Sequence, residues 1–557
     1  MATIHPTAVA DMAETIVTVG DRDDWTWRPV AIDLASWRAR TVHPMHLGLM
    51  TSHHAVRTPS AVAVEEGGRT LTYAELDARA NRLAALLDGR GVGRGDRVAL
   101  LVHNRIDVIE VLVATWKLGA IAASLNFRLS SADLQAIIDN AEPAVVVSEV
   151  EFAPMLDPFV AAGLIAPPVW LDDPADPYEA QLAAHPAAPP PHLLDVAWSD
   201  DAAIIYTSGT TGRPKGATFT HAAMLHHAAN VLTEYDVDAA TRYLVSIPHN
   251  SSVNISFVPV LYAGGTIVFT EVRSFDGADF LDTMNRLATT HTQLVPTMLY
   301  RVLEAHRASP VPLPAVRTIG YGSAPIPPER VAEMIETFGP VFVQLYGMTE
   351  TAAMGTMLRK HEHVDALAGD QAVLASAGQA SYGIHVRLVD DDGNDVADGE
   401  RGEVIFKGSY VMRGYWRDPA RTDEVLRDGW MHSGDVGVFR NGYLHIVDRK
   451  KDLIIRGGQN LASKEIEEAI YAHPAVLEVA VVGVPEPEWG EEVVAVVVLR
   501  SGAAATEEEI RTTCVDGGLA RFKIPSRVAF VDDLPRNSIG KIQKGVLREQ
   551  HARPAGA

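Results

Sequence analysis

The sequence predicts a multi-domain α/β protein, and three observations carry that expectation. From Thr70 onward, apolar runs of strand length alternate with stretches of helical period; after about residue 377 the texture changes to brief alternating runs punctuated by turn dipeptides; from Asp448 a last compact stretch mixes helix and strand patterns. Strand alternating with helix implies a parallel sheet covered on both faces. At 557 residues and 47% hydrophobic content, the chain has enough apolar surface to fill more than one core.

Residues 1–50, rich in Asp, Trp and Thr without a clear period, read as an extension ahead of the regular pattern. An amphipathic helix is predicted over residues 73–87, followed by a Gly/Arg turn, a strand over 97–102 and a helix over 106–117. Residues 183–192, dense in Ala and Pro, form a stiff connector into a strand around 202–206. Strands follow around Val245 and over 266–269 and 318–321. Asp392-Gly393, Asp398-Gly399 and Asn441-Gly442 then mark hairpins of a small barrel or sheet. The domain expectation is an extension at 1–50, a large unit at 51–447 and a small unit at 448–557.

Lys and Arg total 48 against 71 Asp and Glu, a net charge of −23, which argues against nucleic acid or an anionic membrane surface as a partner. Cations gather locally in the C-terminal part, at Arg449, Lys450, Lys451, Arg456 and Lys464, and again at Arg521, Lys523, Arg527, Arg536, Lys541, Lys544 and Arg548. One cysteine, Cys514, excludes an internal disulfide; it reads as a small buried filler in a protein of a reducing, cytoplasmic compartment. No basic region followed by an apolar core opens the chain, so a signal peptide is not expected. Residues 493–499, among the most apolar runs, are too few to span a bilayer and read as a buried strand.

The most informative segment is Thr207-Ser-Gly-Thr-Thr-Gly-Arg-Pro-Lys-Gly216. Hydroxyls at Ser208, Thr210 and Thr211, glycines at 209, 212 and 216 and the single cation Lys215 suit a loop that wraps oxyanions with N–H groups, hydroxyls and one ammonium, and a nucleoside triphosphate fits it. Its spacing is not that of a Walker A loop, because Pro214, Lys215 and Gly216 stand where that pattern needs Gly-Lys-Ser/Thr.

With the blocks downstream, this loop resembles the adenylate-forming superfamily of acyl- and aryl-CoA synthetases, adenylation domains and luciferases. Gly322-Ser-Ala-Pro325 is similar to that family's adenine-side loop, Gln344-Leu-Tyr-Gly-Met-Thr-Glu350 to its Tyr-Gly-x-Thr-Glu block, and Ser433-Gly-Asp435 to its ribose-binding Thr-Gly-Asp. Asp448-Arg-Lys-Lys-Asp452 through Gly457-Gly458 resembles the hinge and thiol-tunnel segment, and Pro535-Arg-Asn-Ser-Ile-Gly-Lys541 the loop of the catalytic lysine. The resemblance spans roughly residues 50–548. It implies two stacked parallel-sheet subdomains plus a small β-barrel, followed by a small mobile α+β domain.

The activity it implies is ATP-dependent ligation of an aliphatic or aromatic carboxylic acid to CoA through an acyl-adenylate, with ATP, Mg²⁺ and coenzyme A as cofactor and co-substrates. Transfer to a carrier protein, luciferase-like oxidation and a silent nucleotide-binding relative remain open beside it. By the same resemblance, Thr207, Ser208, Gly209, Thr210, Thr211, Gly212 and Lys215 hold phosphates; Gly322, Ser323, Ala324, Gln344, Tyr346 and Gly347 meet the adenine; Asp435 and Arg449 meet the ribose. Thr349 reaches the α-phosphate, Glu350 holds Mg²⁺ and Lys541 is catalytic. Lys451 is the hinge, Gly457, Gly458 and Arg273 meet CoA, and His249, Tyr321, Gly347 and Met348 line the acyl pocket. Residues 250–255 contain no acid of the kind that pairs an amino-acid substrate, which favours an uncharged acyl group. Ser433 stands for the family's common threonine, and Gln459-Asn460-Leu461-Ala462-Ser463 departs from its frequent pattern while keeping Asn460, leaving the thiol acceptor open. Small molecules are the expected partners, with no integral membrane segment and a homodimer compatible with the chain.

Overall fold

The computed structural model describes residues 46–207, 214–252, 256–270, 274–487, 489–536 and 542–552, together with the backbone of an antiparallel strand pair, Thr15–Gly20 and Trp27–Ile32. Two large sheets dominate. The first has seven strands in the order Gly414–Tyr415, Lys215–Thr220, Asp201–Thr207, Ile121–Ser124, Arg97–Leu101, Val145–Ser148 and Val169–Trp170. Its strands run parallel from Asp201–Thr207 onward; the first two pair antiparallel. The second has nine strands, with a parallel centre built from Val62–Glu66, Thr266–Phe269, Arg242–Leu244, His291–Leu294, Thr318–Gly322 and Phe342–Tyr346.

Alternation along each strand explains how the sheets stack. Val98 and Leu100 face a shared core that also takes Ile267, Phe269, Val343 and Leu345 from the second sheet, with helices Tyr73–Gly89, Asp107–Lys117 and His221–Glu234 contributing to it. Ala99 and Leu101 point the other way, into a smaller outer core. On the far face of the second sheet, Leu244, Val268, Ile319 and Phe342 pack against helices Gly277–Arg286, Pro296–Ala308 and Pro328–Phe338. Helix Tyr73–Gly89 starts where its sequence dictates: Thr72 and Glu75 form a reciprocal capping box.

The turn-rich region forms a five-stranded antiparallel sheet that includes Ile384–Val389, Arg401–Gly408, Trp430–Arg440 and Tyr443–Arg449. Among the described residues its pairings leave Ile384–Val389 and Leu426–Arg427 at opposite ends of the order, which is the sheet form of the small barrel or sheet that the turn signals announce. Asn441 and Gly442, at φ 52° and 81°, make the two-residue hairpin turn that their sequence announces.

Beyond Asp452 the chain builds its own sheet from Ile454–Arg456, Gln459–Leu461, Val476–Glu486, Gly490–Leu499 and Arg527–Phe530. Odd-numbered valines 479, 481, 493 and 497 face a core with Ile466, Ile470 and Cys514, while Val482, Val484, Val494 and Val496 face Leu534 and Leu547. Cys514 is buried filler, and burial pushes its thiol up to about 11. No helix among the described residues is long and apolar enough to cross a membrane.

Candidate functional site

The candidate site gathers at the carboxyl ends of the parallel strands, where loops of both large sheets meet. Thr207 lies opposite Lys215 in the antiparallel register; Ser208, Gly209, Thr210, Thr211 and Gly212 lie outside the described residues. The Lys215 ammonium sits 5.2 Å from the centre of the Tyr415 ring. The Tyr415 hydroxyl donates to Glu350 Oε1 at 2.5 Å. Burial, reinforced by that carboxylate, pushes the Tyr415 phenol well above its usual range, so it stays a donor. Tyr415 reaches this point because Gly414–Tyr415 pairs with Ala217 and Thr218. Glu350 is presented by the turn Thr349–Thr351, whose Glu350 carbonyl accepts from Met412 N at 2.8 Å.

A second group of side chains lies one step along the same block. The Tyr346 hydroxyl donates to Asp435 Oδ2 at 2.8 Å, and Arg449 Nε approaches Asp435 Oδ1 at 3.3 Å. Ser433 Oγ donates to Val404 O at 2.6 Å and accepts from Asp435 N at 3.0 Å, so a serine hydroxyl suffices to hold the Ser-Gly-Asp turn. The structure therefore adds a fixed job to Tyr346: its hydroxyl anchors Asp435, whichever face its ring offers.

In the strand Phe342–Tyr346 that leads to Tyr346, Gln344 Oε1 is a buried acceptor with no hydrogen-bond partner among the described residues. Gly322 closes strand Thr318–Gly322, and Ser323, at φ 72°, and Ala324 are exposed at its end. Gly347 cannot be replaced without movement, since a Cβ there would lie 2.6 Å from the Ala353 carbonyl carbon.

Of the expected acyl-pocket residues, His249 is fully buried. Its Nε2–H donates to Val102 O at 3.0 Å, and its backbone N–H donates to Asn104 Oδ1 at 2.7 Å, while Asn104 Nδ2 donates to Ile247 O at 2.9 Å. Burial lowers its pKa to about 4 and keeps the ring neutral. Met348 packs at the edge of the shared core. The structure does not bring Tyr321 to them: alternation sends it with Ile319 to the outer face, where its ring meets Phe342 and its hydroxyl pairs with His363 Nε2 at 2.8 Å.

In the C-terminal unit, Lys451 lies in the turn Lys450–Asp452, and its carbonyl accepts from Arg548. Gly457 and Gly458, at φ 58° and 76°, turn the hairpin between Ile454–Arg456 and Gln459–Leu461. Gly457 rests on Trp489, whereas a Cβ on Gly458 would meet nothing within 4 Å, so the tip is open to solvent. Arg273 and Lys541 lie outside the described residues. Sequence reasoning missed Tyr415 and Asn104, because each meets a partner far along the chain, and it marked Arg548 only as one of the C-terminal cations, without its contacts to Lys451 and Asp452; the Gly-Tyr-Trp run at 414–416 carries no spacing that would mark it.

A site of this layout on this pair of sheets defines a nucleotide-binding enzyme, and the chain belongs to the AMP-binding enzyme family: residues 51–416 match the AMP-binding enzyme and residues 465–541 its C-terminal domain. It is 39% identical to a feruloyl-CoA synthase of Amycolatopsis sp over 508 residues, 90% of this chain and 99% of the relative. It is 35% identical to the indoleacetate–CoA ligase of Aromatoleum aromaticum over 520 residues, 91% of this chain and 99% of that one. Among solved structures it resembles ATP-bound MatB from Rhodopseudomonas palustris, with a TM-score of 0.81 at 34% identity, covering 91% of this chain and 99% of that chain.

Proposed function

We propose that this chain is an ATP-dependent ligase that joins an aromatic carboxylic acid to coenzyme A in two steps. In the first, a carboxylate oxygen attacks the α-phosphorus of ATP, the bond to the β-phosphate oxygen breaks, and pyrophosphate leaves. In the second, the CoA sulfur attacks the acyl carbon, the bond to the phosphate oxygen breaks, and AMP leaves with the electron pair. What carries this reading is the convergence of Lys215, Tyr415 and Glu350 with Tyr346, Asp435 and Arg449 at the strand ends.

Each group has a task the chemistry requires. Lys215 and the hydroxyls and N–H groups of residues 207–212 offset charge on the β- and γ-phosphates and then on pyrophosphate. Asp435, its carboxylate oriented by Tyr346 and Arg449, accepts from the ribose hydroxyls. Gln344 Oε1, an unmatched acceptor, suits the adenine amine. Glu350 fits a hard divalent cation, since Tyr415 occupies only one of its oxygens; Mg²⁺ bound there would neutralise phosphate charge. Lys541 brings a cation to the two oxyanions that converge in the first step, where electrostatic stabilisation matters most. The hinge at Lys451 then exchanges that lysine for the Gly457-Gly458 hairpin, and Arg273 meets a CoA phosphate.

The aromatic acid is favoured by the feruloyl- and indoleacetate-directed relatives and by the lack of an acidic side chain in residues 250–255. Pyrophosphate and AMP release should be followed with ATP and Mg²⁺ over hydroxycinnamic, arylacetic and fatty acids, each with and without CoA. CoA-dependent turnover of aryl acids is the expected result. Preference for fatty acids would overturn the substrate class, and turnover indifferent to CoA would overturn the ligase.

A further inference from the structure

Strands Arg97–Leu101 and Val145–Ser148 are parallel neighbours in the first sheet, with Leu101 opposite Ser148. Their carboxyl ends therefore deliver His103 and Glu149 side by side, and the turn Val150–Phe152 adds Glu151. His103 Nδ1 stands 3.0 Å from Glu149 Oε2 and 3.1 Å from Glu151 Oε1, and the three donor atoms lie within 4.8 Å of one another. A single N–H at that nitrogen can serve only one of the two oxygens well, whereas a cation among the three donors serves all. Atoms bound side by side on a first-row divalent ion, with bonds of about 2.0–2.2 Å, stand roughly 3 Å apart, which is the spacing of both contacts.

The donors are held in place by their surroundings, as metal ligands are. The His103 ring packs against Phe127 and Phe152, with centroids 4.6 Å and 5.0 Å away. His103 N donates to Glu149 Oε2 at 2.6 Å, which uses one lone pair of that oxygen and leaves the other. Arg105 Nη1 holds Glu149 Oε1 at 3.1 Å, but its Nε is taken by Asp107 at 2.6 Å. Arg105 and Asp107 thus offset one another, and the two glutamates match a divalent charge. Glu149 is buried, His103 half-buried and Glu151 exposed, so an ion has a way in. We propose that His103, Glu149 and Glu151 bind a divalent cation of the zinc type, since an imidazole donor selects such ions over Mg²⁺ and Ca²⁺. Its role is structural. Val102 O accepts from His249 Nε2 and Asn104 Oδ1 from His249 N, so an ion on His103 ties the support of His249 to the neighbouring strand end. The site stands apart from the ligase reading.

The test titrates the full chain, free of nucleotide, with Zn²⁺ in the calorimeter, beside His103→Gln and Glu151→Gln. Glu151 is exposed, so its substitution removes a ligand without disturbing the core. The parent should bind one Zn²⁺ that excess Mg²⁺ does not displace, and each substitution should weaken that binding at least tenfold. X-ray absorption of the zinc-loaded parent should show an imidazole among oxygen neighbours, absent in His103→Gln. A third readout is hydrogen exchange at the Phe152 amide, which donates to Glu149 O at 3.0 Å. Zinc should slow it in the parent and leave it unchanged in Glu151→Gln. Failure of the parent to bind Zn²⁺, equal affinity in both variants, displacement by Mg²⁺, or a zinc shell without imidazole overturns the site. Exchange at Phe152 that zinc leaves unchanged in the parent overturns its role as a tie.

Discussion

The large N-terminal part and the unit beyond Asp452 hold their functional groups in opposite ways. In the first, Asp435 and Glu350 are each pinned by a buried tyrosine hydroxyl, and the loop of His249 is fastened to Val102 and Asn104. In the second, the Gly457-Gly458 hairpin stands free; its links back to the large part include the buried bonds of Ser463 to Asp448 and the rim contact of Lys464 with Ile446 O, while Lys450 at the hinge pairs with Asp391 at the surface. Surface ion pairs contribute about 0–1 kcal/mol each and are readily exchanged. Under the proposed two-step reaction the difference implies a division of labour: the large part would keep the nucleotide in one place, and the small unit would decide which chemistry follows.

The strongest way to break that division is Lys541→Ala. It should cost ~10²–10³ in adenylate formation, about 3–4 kcal/mol, yet leave thioester formation from supplied acyl-adenylate within a few-fold of the parent. Equal losses in both would erase the distinction between the two parts.

Acid should separate the two parts next. Burial lowers His221 to about 3 and His249, His291 and His363 to about 4, all in the large part. These rings are neutral when folded, whereas in the unfolded chain they take up protons below the ordinary histidine value of 6.5. Stability is therefore full above 6.5 and is lost as pH falls from 6.5 towards about 4, by ~3 kcal/mol for each such histidine at ~1.4 kcal/mol per unit. Hydrogen exchange followed from pH 7 to 4.5 should show the large sheets losing protection before the strands Val476–Glu486 and Gly490–Leu499, which enclose no histidine. The reverse order would contradict the assignment.

Tyr415→Phe sharpens the comparison within the large part. The ring beneath Lys215 survives but Glu350 loses its donor, a change of ~1.5–3 kcal/mol for a hydrogen bond to a charged group. Calorimetry without acid substrate should show Mg²⁺–ATP binding weakened about tenfold or more, with thioester formation from acyl-adenylate unaffected; unchanged binding would remove Tyr415 from the site. The smallest effect on the first step is expected for Gly458→Leu, which should spare pyrophosphate release and slow only the CoA-dependent step.

What the sequence made legible was local. The strand and helix alternation and the Asn441-Gly442 turn are written in near-neighbour patterns. The misses came from long-range pairing. Tyr415 meets Glu350 only because a two-residue strand joins the edge of the first sheet. Tyr321 alternates as expected, but its period does not say which face holds the pocket, and the structure turns it to Phe342 and His363. The block around Tyr346 stands out in the sequence, but its hydroxyl bond to Asp435 does not, since the two stand on different sheets.

The central claim, that a fixed nucleotide site forms an adenylate before CoA takes part, is tested most directly by isotope exchange between pyrophosphate and ATP with an aryl acid present and CoA omitted. The account predicts acid-dependent exchange without CoA and release of AMP only once CoA is added. Exchange that requires CoA, or AMP released at the same rate without it, would contradict the two-step division of labour.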